Sequence, residues 1–189
     1  RIVPRRDVKP LARAFIDRFG DIGAVLAAPT ADLSSTPGVG LQIALELAIT
    51  NAVCRRTLRS RALHRPVVSS WQALLDYCHA TLAHEPTERF RILFLDTKNT
   101  LIADEEQARG TVDHVPVYPR EVVKRALELN AKSLILVHNH PSGDPTPSQA
   151  DITMTQAIET ALTVMEITLH DHVIIGRQEA LSFRASGHL

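Results

Sequence analysis

In KSLILVHNHPSGDPTPSQADITMTQ, residues 132–156, an unbroken apolar run leads into a segment that can neither prolong a strand nor begin a helix early. Leu134, Ile135, Leu136 and Val137 leave no polar face, so the run reads as a strand buried on both sides. The proline- and glycine-rich PSGDPTP then forces a turn. Pro147-Ser148 opens a helix with Asp151 in its first turn. A strand covered on both faces needs helices above and below its sheet, and the neighbouring sequence supplies both strands and helices. Trp71–Ala83 has helical spacing, with Ser69 or Ser70 as cap. RFRILFLD (89–96) reads as a strand, TKN as a turn and LIADEEQARG (101–110) as a second strand. VYPREVVKRALELNA reads as a helix with Pro119 in its first turn. HDHVIIG and ALSFRA read as closing strands. The pattern is that of an α/β (α+β) sandwich with a mixed sheet flanked by helices.

A small all-helical domain is expected ahead of it, over 1–66, with the boundary near Pro66 and the second domain over 67–189. Leu11, Ala14, Phe15 and Phe19 recur at helix spacing before Gly20, and another helix starts near Leu41. Between them, PGVG resembles the turn of a helix-hairpin-helix motif. Gly38 and Gly40 permit tight backbone geometry, and amides at the following helix start can meet a phosphate. Leu41, Gln42 and Ile43 stand where related hairpins carry Lys or Arg, so a plain helix–helix turn competes with this reading. The run RRTLRSRALHR adds Arg55, Arg56, Arg59, Arg61 and Arg65, either phosphate contacts or a solvated helix end and linker. The net charge of zero conceals a split: 1–66 hold 11 Lys/Arg against 5 Asp/Glu, and 67–189 hold 10 against 16. That points to DNA as a partner of the basic part, or to two complementary surfaces. No apolar run approaches a membrane span. The chain begins with Arg, which leaves an upstream targeting segment open. Cys54 and Cys78 form no metal-type pair and read as small core residues, in keeping with a reducing, cytoplasmic setting.

His138 and His140 end the buried strand, and strand residues two apart share a face. Two imidazoles and the carboxylate of Asp151, with one position left for water, make an open zinc site. Ser148 and Asp151 also spell a capping box, which needs no metal but does not account for the histidines. His170 and His172 repeat the H-x-H spacing, as a fourth ligand, as a contact behind the ligands, or as a hydrogen-bonded pair at a strand start.

HNHP, then PS, then D resembles the HxHP…SxxD signature of JAMM/MPN+ metalloproteases. The chain from Glu88 to Leu189 is similar to the bacterial RadC family almost throughout, and the GVG region resembles that family's amino-terminal part. The resemblance implies a JAMM-type α/β/α fold, Zn2+, and a DNA-repair association that specifies no reaction. It implies His138, His140 and Asp151 as ligands, Ser148 as an oxyanion donor and Glu88 as general base, with Glu105 and Glu106 as rival carboxylates. Tyr118, Pro119 and Arg120 match family residues and read as a helix start, with Arg120 a substrate or phosphate contact. Two functions stay open: a zinc hydrolase cleaving an amide bond of a peptide or protein, or a nucleic-acid-binding accessory protein whose metal site is structural or vestigial.

Overall fold

Five strands form one sheet: β1 (Arg89–Leu95), β2 (Leu101–Arg109), β3 (Ser133–Asn139), β4 (Thr168–Ile175) and β5 (Ala180–Ser182). Their order is β2-β1-β3-β4-β5. The apolar run in β3 takes the centre, where every residue is buried. β3 pairs antiparallel with β1 and parallel with β4, so the sheet is mixed. This computed structural model describes residues 7–62, 66–67, 70–109 and 117–189. Ser69, Arg65, His64, Gly110 and His114 therefore lie outside the described residues.

Alternation along each strand divides the core in two. On one face Leu93, Leu95, Ile135, Val137, Val173 and Ile175 pack on Leu74, Cys78 and Leu82 of α5 (Trp71–Leu82). On the other, Phe90, Ile92, Phe94, Leu134 and Leu136 pack on Val122 and Ala126 of α6 (Pro119–Glu128) and on Ile158 and Leu162 of α7 (Gln149–Val164). The expected layered α/β sandwich is present. α7 makes the crossover between the parallel strands β3 and β4, which a parallel pair requires. Ser70 precedes α5, but its hydroxyl donates to Pro66 O instead of capping the helix.

The chain divides into two compact units, Arg1–Thr57 and Leu58–Leu189. In the first, α1 (Lys9–Phe19) starts with Pro10 in its first turn and stops at Gly20, whose φ of 95° favours glycine. Two short helices, α2 (Ile22–Ala27) and α3 (Thr30–Ser34), precede the long α4 (Leu41–Ala62), which belongs to this unit as far as Thr57. Phe15, Val25, Leu33, Val39 and Ala44 form this unit's core.

α2 and α3 fit the all-helical reading, although helices of six and five residues show no periodicity of their own. Two expectations need correction. Cys54 is exposed whereas Cys78 is buried; apolar residues line α4 on several faces, with Leu45, Ile49 and Val53 also exposed, so spacing does not mark its inner side. The closing segment ALSFRA is strand only to Ser182. Phe183–Ser186 is a short helix, α8, because the Ser182 hydroxyl accepts from Ala185 N–H as its cap. No helix among the described residues is long and apolar enough to cross a membrane.

Candidate metal centre

The end of β3 and the first turn of α7 bring His138, His140 and Asp151 together. His138 Nε2 stands 3.0 Å from His140 Nε2 and 3.3 Å from Asp151 Oδ1, and His140 Nε2 stands 3.5 Å from Asp151 Oδ2. Ligands about 2.0–2.1 Å from a tetrahedral ion lie about 3.3 Å from one another. Each pair of these residues therefore has a donor contact near that length, the Asp151 contacts running through its two different oxygens, and one donor atom from each residue lies within 4.8 Å of the others. No fourth histidine, cysteine or carboxylate joins them among the described residues.

Hydrogen bonds behind these atoms settle where their protons are. The Thr155 hydroxyl donates to Asp151 O at 2.6 Å, a carbonyl that can only accept. Its oxygen is then the acceptor for His172 Nδ1–H, also at 2.6 Å. Burial holds His172 far below its usual pKa, so the ring is neutral and its Nε2 is a bare acceptor. That nitrogen takes the Nδ1–H of His138 at 2.8 Å. Burial also pushes His138 down to about 4, which leaves its Nε2 as a lone pair aimed at the ligand triangle. His140 Nδ1–H donates to Asp144 O at 2.8 Å, so a neutral His140 presents its Nε2 lone pair to the same point. Two lone pairs and a carboxylate at this separation repel one another unless a cation lies between them. The donor set fits a metal ion. Without one, only a proton serves, in line with the His140 pKa, which the hydrogen bond to Asp151 raises.

Asp151 is positioned by its own helix. Ser148 N–H and the Ser148 hydroxyl both donate to Asp151 Oδ2, at 2.8 and 2.6 Å, and Asp151 N–H returns a bond to Ser148 Oγ. The capping box is thus real, and it fixes the carboxylate with Oδ1 turned to His138. The cap and the grouping of Asp151 with the two histidines are one arrangement, not alternatives. Burial alone would raise the Asp151 pKa, but hydrogen bonds from His140 and Ser148, and the charge His138 gains once acid protonates it, outweigh it and hold the carboxyl well below its usual range.

The loop between the ligands is braced from outside. His140 N–H donates to Ile175 O, and Arg177 N–H donates to Gly143 O. Gly143 has a φ of 90°, and a Cβ on Gly176 would meet Gly143 O at 2.5 Å. Phe90 stacks on His138, its ring centroid 6.0 Å away, and Phe183 lies 4.5 Å from His172, which keeps this side of the centre dry.

The carboxylates separate clearly. β1 pairs with β3 up to Phe90 opposite His138, and Glu88 lies two residues beyond that last pair, on the side of the ladder towards His140. Glu88 is among the charges that raise the His140 pKa. Glu105 is gripped by Arg125 of α6, at 2.6 and 2.8 Å. Glu106 lies on the opposite face of the sheet, against Arg89 and Arg91. His172 stands behind His138 as a supporting partner, not as a fourth ligand. His170 turns away to Asn99 Oδ1 at 2.7 Å, so the two histidines do not bond to each other. Tyr118 precedes α6, and Arg120 lies over its ring and pairs with Glu121.

In the first unit, Gly38, with φ 82°, and Gly40 are exposed in the turn before α4. Arg55 and Arg56 lie about 20 Å or more along α4 from that turn, at ~1.5 Å per residue, so glycines and arginines do not form one site. Arg56 and Arg59 are exposed and Arg55 is half-buried.

Neither Thr155 nor Asn139 stands out by its spacing in the sequence. Thr155 follows Asp151 by four residues on one helix face, a signal that exists but is common. Asn139 points away from its histidine neighbours, and only the fold shows what it touches.

A mixed sheet between helical layers, with an imidazole pair at a strand end and a capped aspartate opposite, defines a JAMM-like α/β protein. The family description "RadC-like JAB domain" matches residues 68–188. The chain is 67% identical to a UPF0758 protein of Rhodobacter capsulatus, over all of this chain and 88% of that protein. It is 62% identical to a UPF0758 protein of Ruegeria pomeroyi, over all of this chain and 84% of the relative. The chain belongs to the RadC family.

Proposed function

We propose that the protein is a zinc-dependent hydrolase of JAMM type that cleaves an amide bond, peptide or isopeptide, in a peptide or protein substrate. The observation that carries this reading is the convergence of two imidazole lone pairs and a carboxylate at zinc-ligand spacing. Zinc held by His138, His140 and Asp151 would supply a Lewis acid and make a water acidic near neutral pH. Glu88, on the His140 side of the ladder, takes the proton of the attacking water and returns it to the leaving amine. Ser148 donates its hydroxyl to the developing oxyanion, for which its proton must swing away from Asp151 Oδ2. Phe90 and Phe183 shield the histidines from water. We assign the activity to the cytoplasm, in keeping with two unpaired cysteines.

The test combines calorimetric zinc titration with a screen of peptide and isopeptide substrates. The wild-type chain should bind one zinc, and His140→Ala should lose it. Glu88→Gln should keep the metal and lose turnover by a hundredfold or more, the scale of a general base. Intact ligands that take up no zinc at saturation, or turnover indifferent to Glu88→Gln, would end the proposal.

A second reading, a DNA-binding accessory protein with a structural metal, draws on exposed Arg56 and Arg59 and on the glycine turn. The two readings are compatible, with the helical part bringing the hydrolase to DNA-bound protein.

A further inference from the structure

We propose that Asn139, the residue between the two histidines, is a positioning residue that sets Glu88 against the metal centre, an inference that rests on the hydrolase reading above. Strand alternation turns His138 and His140 to one face and Asn139 to the other. There the residue is 1% exposed, and its side chain makes three hydrogen bonds. Its Nδ2 donates to Thr87 O at 3.1 Å and to Glu85 O at 3.4 Å, and its Oδ1 accepts from Arg89 N–H at 2.9 Å. Two of these three partners are the residues on either side of Glu88.

A side-chain amide carries the same donor and acceptor as a peptide group. Asn139 therefore pairs with the Glu85–Arg89 segment as a neighbouring strand would, just past the last backbone pair, Phe90 with His138. Holding Thr87 and Arg89 fixes the backbone of Glu88 between them. Counted back from Phe90, strand alternation gives the Glu88 side chain the face of His138, where its charge reaches His140. The two histidines and the base stand on different segments of chain, and beyond the last backbone pair of β1 and β3 the Asn139 side chain ties these segments together. Any shift of the end of β3 carries both histidines and, through Asn139, Glu88 with them.

A buried Asn could instead serve only to satisfy local backbone groups. In that case its loss loosens the strand end as a whole, ligands included. The experiment separates the two in the zinc-loaded full chain. Asn139→Leu removes all three bonds at similar volume. Asn139→Asp keeps the acceptor for Arg89 N–H but sets a carboxylate against two carbonyls, and stands in should the leucine variant fail to fold. Amide exchange at Arg89 should accelerate about tenfold in Asn139→Leu, the equivalent of one lost hydrogen bond. Zinc affinity and exchange in the rest of β3 should stay within threefold. On a peptide that the wild type hydrolyses, kcat should fall towards that of Glu88→Gln with KM little changed. The double variant Asn139→Leu/Glu88→Gln should be no slower than Glu88→Gln alone. Zinc affinity lost together with Arg89 protection, or rate losses that multiply in the double variant, would overturn the proposal. A wild-type chain that binds zinc but hydrolyses nothing removes the role of Glu88, and the exchange and zinc measurements then still decide whether Asn139 holds the segment.

Discussion

His172 decides which nitrogen of His138 faces the ligand triangle, although it touches no ligand position itself. Replacing it with Phe leaves His138 Nδ1–H unpaired in a dry pocket and frees the ring to change tautomer. Zinc affinity should fall 10- to 100-fold, the usual cost of losing a partner behind a ligand. Gln, whose oxygen can stand near the Nε2 position, should recover part of it. Titration calorimetry of both variants checks this, and equal losses would contradict it. The same burial gives the metal-free chain a pH signature. His138 is pushed down to about 4, and His172 lies well below 6.5. Between pH 6.5 and about 4 the unfolded chain takes up protons that these folded rings refuse, so stability falls as pH drops through that window. For His138 alone the loss is roughly 3 kcal/mol. His140 works the other way, since its raised pKa adds stability on acidification, but it is one partly exposed ring against two buried ones. Urea midpoints in chelator should fall from pH 7.5 to 5, and less so in His138→Gln. A midpoint that holds or rises would refute this balance. The candidate ligands are legible in the sequence because their chemistry and spacing are rare together. Of their supports, His172 is legible only as one of several alternatives and Thr155 not at all, because both acquire a definite role only when β4 and α7 meet.

At the scale of elements, β3 and α7 could be read because each obeys one period over enough residues, and the proline-rich link between them admits no other structure. The start of β5 could be read as well, but its end at Ser182 and the helix α8 could not. A three-residue strand ending at Ser182 is set by contacts distant in sequence, where the Ser182 hydroxyl bonds to Asp171 of β4. That same β4–β5 end supports the metal loop. Gly176 packs where a Cβ would lie 2.5 Å from Gly143 O and 2.9 Å from Pro145 Cδ. Both contacts belong to the loop whose Asp144 carbonyl orients His140. Gly176→Ala must push that loop outward, at a cost of about 1–3 kcal/mol for an overpacked contact. The melting temperature should drop, and zinc affinity should drop with it, although residue 176 is no ligand. Gly187→Ala, at a site where a Cβ meets nothing within 4 Å, is the control: its φ of 78° strains the backbone without touching the loop. It should lose stability and keep its zinc affinity. A Gly176→Ala chain with wild-type zinc affinity would show that the loop is held by other means.

Across the whole molecule, the charge split between 1–66 and 67–189 is visible in sequence, but what the basic part does depends on where its groups stand. The glycine turn and the α4 arginines are separated along the helix, so they cannot grip one phosphate together. Phosphate contact by the arginines and phosphate contact by the turn are therefore distinct claims. If exposed Arg56 and Arg59 neutralise DNA phosphates, log affinity of the full chain should fall steeply and linearly with log salt, with a slope near −0.9 per phosphate. Arg56→Ala/Arg59→Ala should then reduce that slope by about 2, evenly across DNA sequences. Gly40→Ala tests the turn. Its Cβ would meet nothing within 4 Å and its φ is not positive, so the fold tolerates it and only a close phosphate would object. A slope lowered by the arginine pair and untouched by Gly40→Ala assigns binding to α4 and leaves the hairpin a structural turn. The reverse assigns it to the turn. Affinity that does not respond to salt, measured by fluorescence anisotropy from 50 to 200 mM, would remove DNA from the account and leave the charge split as a matter of surfaces within the protein.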